Sequence, residues 1–236
     1  MKVKCIWEHN ENDSLIYSVN FIGAYARGES REVAIAKMPQ EIKDYLSWAG
    51  KDLNDDLSIE IVQEKISDLR ISDADSDVIF DDEKLPLTIE EYVELKALAM
   101  KSAEDFLHLY MAIPDVNKSV LPFRETFYGH TPRTAKEMYE HTKNVNEYYF
   151  AEIGIDADNE GTISECRRKG FEQLELTDGF LEHGSVIGSY GEEWSLRKVL
   201  RRFIWHDRIH AKAMYRMAIK SFGVDSVPNI FYFNLK

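Results

Sequence analysis

Two histidines one helical turn apart are the residues of this sequence best suited to chemistry. His206 and His210 lie in WSLRKVLRRFIWHDRIHAKAM, where Val199, Phe203, His206, His210, Ala213 and Met217 recur in alternating steps of four and three. That rhythm marks the inward seam of a packed helix, so both imidazoles are expected to face the core. Residues four apart stack on one face, close enough for two ring nitrogens to reach one ion. Burying two imidazoles among Phe, Val and Met is unfavourable unless their nitrogens find partners, and a metal ion satisfies both. A third imidazole comes from RTAKEMYEHTKNVNEYY, whose apolar stripe Met138, His141, Val145, Tyr148 or Tyr149 and Glu152 places His141 in its middle. Three neutral imidazoles from two helices predict one divalent ion with a coordination position left open, the pattern of a catalytic site. Zinc or nickel suits nitrogen donors best, with iron and copper as alternatives.

The other histidines carry less. His9 falls in a hairpin turn, His108 near a helix end, His130 just before the Thr131 turn, and His183 beside Gly184 at an expected helix C-terminus. Asp207 and Arg208 sit between the two seam histidines and are expected to face away from them. Glu104, Tyr139, Tyr148 and Glu152 are candidates for a general base near the site.

Four helices must position these residues. Thr88 with Glu91, Thr134 with Glu137 and Thr162 with Glu165 form capping boxes, and Ser195 caps the last helix, with Trp194 and Val199 as a hydrophobic staple. The expected helices run to Pro114, through Gly154, through Gly184 and to Gly223. Ahead of them KVKCIWEH, LIYSVNFIGAYARG and SIEIVQEKI read as strands, with a helix from the Ser30 cap to Gly50 that contains Pro39. The expectation is an α+β protein of two domains: a strand-strand-helix-strand unit over residues 1–86 and an antiparallel four-helix bundle over 87–236. Asp68 to Pro86 is acidic without a helical period and reads as a linker or exposed edge.

Two acidic runs resemble calcium loops and fail in detail. Asp73, Asp75 and Asp77 are followed by Val78 where glycine is required and Lys84 where a bidentate Glu belongs. Asp156, Asp158, Glu160 and Gly161 are suitably spaced, but the closing position is Arg167, which favours a turn and helix cap.

Composition bounds the rest. The 236 residues are 44% hydrophobic and 30% charged, an ordinary globular balance, with no apolar run of membrane-spanning length. A net charge of -13 disfavours nucleic acid as a partner. Arg167, Arg168 and Lys169, and Arg197, Lys198, Arg201 and Arg202, read as solvated helix faces. Two distant cysteines, Cys5 and Cys166, and a polar N-terminus predict a reduced cytoplasmic chain without a secretory signal. A small-molecule substrate is the expected partner, and a homodimer is admitted.

With those residues in view, RTAKEMYEHTKNVNEYY and WSLRKVLRRFIWHDRIHAKAM resemble the DinB/YfiT-like superfamily of metal-binding four-helix bundles, over residues 87 to 223. The resemblance implies that His141 is the ligand of the second helix and His206 and His210 the ligand pair of the last. It also implies an activity: thiol-dependent transfer using a low-molecular-weight thiol such as bacillithiol, mycothiol or glutathione, or metal-dependent hydrolysis. SVNFIGAYARGESREVAIAKMPQEIKDYL is similar to the HicB-like fold, with Ala24 where that family often has Cys. That second resemblance implies an RNA- or toxin-binding regulator as the alternative, beside a stress-response or partner-binding module in which the metal is structural.

Overall fold

Alternation of side chains along KVKCIWEHN produces the first strand of a four-stranded sheet. The computed structural model describes residues 1–10, 13–51, 56–71, 75–126 and 129–235. Strands β1 (Lys2–Asn10), β2 (Asp13–Ser18), β3 (Tyr25–Gly28) and β4 (Ser58–Ile66) lie in the order β3-β2-β1-β4. β1 pairs antiparallel with β2 and parallel with β4, with a bulge between Cys5 and Ile6. The β-rich stretch expected as one strand is two, because Gly23 takes φ +98° and turns the chain between β2 and β3. A Cβ at Gly23 would lie 2.3 Å from Ile204 Cγ2, so this turn rests directly on the last helix.

Helix α1 (Arg31–Trp48), capped by Ser30 and containing Pro39, packs on β2, β3 and β4. It covers the face carrying Val3, Cys5, Ile16 and Ala26. The opposite face, with Ile6, Leu15, Tyr17 and Tyr25, is covered by Ile71, Val78 and Phe80 and by Trp205. This corrects the expectation for Asp68 to Pro86: the acidic stretch is not an exposed linker but the second cover of the sheet. Ile71, Val78 and Phe80 point in while Asp68, Asp81 and Asp82 stay out, a pattern that overall composition conceals. Ser76 and the backbone of Asp77 bond the buried carboxylate of Glu8, and Glu83 is buried against Arg201. Asp73 of the first calcium-like run lies outside the described residues.

Helices α2 (Ile89–Met111), α3 (Ala135–Ala151), α4 (Ile163–Glu175) and α5 (Leu196–Phe222) follow. The three expected capping boxes and the Ser195 cap are present. α4 ends at Glu175, well short of Gly184; His183 therefore sits in a loop and caps no helix. The second calcium-like run is a turn, with Asp158 accepting from Glu160 N, that leads into the Thr162 cap. α5 packs on α2 and α3, and α4 packs on the same two helices. Phe150, Phe171 and Phe203 interlock at ring separations of 5.2–6.1 Å. Two short hairpins complete the chain, β5 (Glu125–Thr126) with β6 (Gly129–His130) and β7 (Val186–Ile187) with β8 (Glu193–Trp194). Sheet, α1 and the later helices share one continuous apolar core. The architecture is mixed α+β.

Candidate metal centre

The seam of α5 behaves as its spacing requires. Val199, Phe203 and Met217 are fully buried, His206 is 7% exposed, and His210 is half-buried. His206 and His210 bring their Nε2 atoms to 3.1 Å. His141, from α3, sets its ring 5.3 Å from that of His206 and 4.6 Å from that of His210. One donor atom from each of the three lies within 4.8 Å of the other two. Metal–nitrogen bonds of about 2.0–2.1 Å, at angles between about 90° and 109°, place neighbouring donors about 2.8–3.4 Å apart. The His206–His210 separation falls inside that window.

The electrostatics favour the ligating form. Burial, with the neighbouring imidazoles next, holds His206 well below the ordinary histidine range. Burial and then His141 do the same for His210. His141 is exposed as a residue at the mouth of the site, yet its ring turns toward the other two, where burial lowers its pKa as well. All three are therefore neutral near pH 7 and have lone pairs to offer. Without an ion, one Nε2 proton shared between His206 and His210 satisfies only part of the cluster. The donor set thus fits a divalent ion by distance, protonation and type. Among the described residues no carboxylate or thiol joins the three imidazoles.

Above the histidines opens a cleft of about 700 Å³, a volume suited to a small organic ligand. Met138, Val145, Tyr148 and Tyr149 of α3 and Trp205 and Ile209 of α5 line it. The N-terminal half supplies Arg27 and Asp75 to Asp77, and the β7–β8 hairpin supplies Tyr190 to Glu192.

Of the residues expected near the site, Tyr148 lines the cleft, whereas Tyr139 accepts from Ile163 N and Glu152 accepts from Ser189 N. Glu104 is exposed and absent from the cleft wall. Asp207 and Arg208 do turn away from the seam, but into buried ion pairs with Arg167 and Glu41. His130 is on the cleft rim, 3.9 Å from Glu137. His9 belongs to β1, not to a turn, stacked on Trp7 and paired with Glu64.

The two basic clusters correct the solvated-face reading. Arg168 is exposed, but Arg167, Lys198 and Arg201 are buried. Each has a specific acceptor: Asp207 for Arg167, Glu192 for Lys198 and Glu83 for Arg201. Arg202, missed as a site residue, lies over the rings of Tyr149, Trp194 and Trp205 and donates to Ser76 O. Its signal was available, since 202, 206 and 210 form one row of fourth residues on a helix.

Comparisons of the chain with protein-family profiles, with curated proteins and with solved structures find no match. Among the described residues no helix is long and apolar enough to cross a membrane.

Proposed function

We propose that this chain is a DinB-like metal-dependent enzyme acting on a small molecule in the cleft above His141, His206 and His210. The reaction we assign is transfer of a low-molecular-weight thiol to an electrophile, with hydrolysis as the variant in which water takes the place of the thiol. The observation that carries the reading is the convergence of three neutral imidazoles from α3 and α5 at the floor of an open cleft, without a fourth protein donor among the described residues. A site built only to pin two helices together is normally closed by a fourth ligand.

His206 and His210 are placed to hold the ion from α5 and His141 from α3, which fixes the two helices at one separation. A divalent ion there would act as a Lewis acid that favours thiolate over thiol at neutral pH. Met138, Val145 and Ile209 give the cleft apolar wall beside the histidines, and burial disfavours protonation of the imidazoles. Arg202 sets a fixed positive charge beside them, held by Ser76 O and Glu192. In transfer the thiol proton leaves to solvent or buffer, the S–C bond forms, and the bond from carbon to its leaving group breaks.

The test is elemental analysis of purified protein beside His206→Ala, coupled to consumption of cysteine or glutathione with 1-chloro-2,4-dinitrobenzene. About one equivalent of zinc, nickel or iron should survive dialysis in the parent and be lost in the variant, together with thiol consumption. Retention of metal by His206→Ala, or a metal-free parent after growth with added zinc and nickel, overturns the reading. Metal with esterase activity and no thiol conjugation selects the hydrolase.

A further inference from the structure

The β7–β8 hairpin ends in a residue for which the fold has no use. Tyr190 is 99% exposed and has φ +59°, a conformation side chains other than glycine rarely adopt. Such a conformation persists when the surrounding structure enforces it, and here the anchors are visible on both sides. Gly188 N donates to Glu192 O at 2.9 Å, and Ser189 N donates to the Glu152 carboxylate at 2.7 Å. Glu192 pairs with Lys198 at 2.8 Å and with Arg202 at 3.5 Å, while Trp194 is wholly buried. Gly188 fits so closely that a Cβ would fall 1.8 Å from Glu152 Oε2. The backbone is fixed, and the one large side chain at its tip packs on nothing.

Tyr190 is one of the residues lining the cleft that also holds the three histidines. Tyr148 and Trp205 add aromatic wall beneath it, and Met138 and Val145 add aliphatic wall. Rotation about its side-chain bonds moves the phenol without moving the anchored backbone.

We propose that Tyr190 is a specificity-determining residue that closes over a bound small molecule and stacks on a planar aromatic part of it, while the metal-seeking end of that molecule lies on the histidines. The inference rests on the metal reading above and adds the chemical class of the ligand: an aromatic or similarly flat body joined to a thiol, hydroxamate or comparable donor. The anchored hairpin holds the tyrosine in this unfavourable conformation at the edge of the site, where its ring is free to meet a ligand face.

The experiment is calorimetric titration of the zinc-loaded full chain with acetohydroxamate and with benzohydroxamate, for the parent, Tyr190→Phe and Tyr190→Gly, alongside each protein's Tm. The phenyl group should improve affinity about tenfold in the parent and in Tyr190→Phe, and most of that factor should vanish in Tyr190→Gly. The Tm of Tyr190→Gly should equal or exceed the parent's, because glycine relieves the positive φ. Binding of acetohydroxamate with an equal phenyl increment in parent and Tyr190→Gly, or with no increment in the parent, overturns the inference and leaves the metal reading standing. A fall of several degrees in the Tm of Tyr190→Gly makes the tyrosine structural and also overturns it. If the chain takes up no zinc, or loaded protein binds neither hydroxamate, the metal reading falls and this inference with it.

Discussion

Asp207→Asn should be among the most damaging single-atom exchanges in this protein, although it changes neither size nor shape. Asp207 follows His206 directly in α5, and both it and Arg167 of α4 have side chains that are 0% exposed. Arg167 Nη1 and Nη2 donate to the carboxylate at 2.9 and 3.1 Å, and Ser102 Oγ of α2 donates at 2.5 Å. The guanidinium also lies 3.8 Å above the Phe203 ring, while its Nε has no acceptor. Burial pushes the Asp207 carboxyl up, against the pull of Arg167 and Ser102. An amide in its place leaves a full positive charge in an apolar interior without a counter-charge, a loss of about 3–5 kcal/mol. For a chain of this size each kcal/mol moves Tm by about 2–4 °C, so the expected fall is about 6–20 °C. Thermal unfolding in EDTA, which keeps bound metal out of the comparison, measures it. The double variant Arg167→Met with Asp207→Leu removes both charges and should cost far less than the two single changes added together. A loss below about 1 kcal/mol for Asp207→Asn, or additive costs in the double variant, would refute the account of a paired buried charge.

His141, His206 and His210 all have folded-state pKa values below the unfolded value of about 6.5. The unfolded chain therefore binds more protons, and stability should fall as pH drops below about 6.5, by at most about 1.4 kcal/mol per pH unit for each histidine. Glu8 and Asp207, whose pKa values burial raises, act in the opposite sense at lower pH and flatten the curve there. Metal-free unfolding between pH 7.5 and 5.5 checks this, and a flat profile contradicts it. Gly23→Ala forces a side chain into φ +98° and drives its Cβ to 2.3 Å from Ile204. The cost should be about 2–5 kcal/mol by urea denaturation, and a loss under 0.5 kcal/mol would show that the β2–β3 turn does not bear on α5.

Local signals in the sequence were strong where a single element decides the outcome. Each helix cap was visible as a Thr or Ser with its partner three residues on, and the seam of α5 was visible as a period. The approach of His141 to His206 and His210 followed from two such stripes facing one another. What failed needed a partner distant in the chain. Arg201 looks solvated until Glu83, 118 residues earlier, is known to lie beside it. Ile71, Val78 and Phe80 are too sparse among acids to register as a buried segment until the uncovered face of the sheet requires them. The overreach in α4 is local in origin: Leu176 falls on the exposed face with Lys169, Glu172 and Gln173, out of step with the buried stripe Ile163, Cys166, Gly170, Phe171 and Leu174, so the inward period stops at Leu174.

The helix that carries His206 and His210 is gripped on every other side. Arg201 holds it to Glu83, Asp207 to Arg167, and Arg208 to Glu41 of α1, all three pairs buried. A rod clamped in three directions cannot roll, so its two imidazoles point where they do whether or not anything sits between them. On the metal reading proposed above, an arriving ion would meet two of its three donors already held in place, and that part of the ordering cost was met during folding.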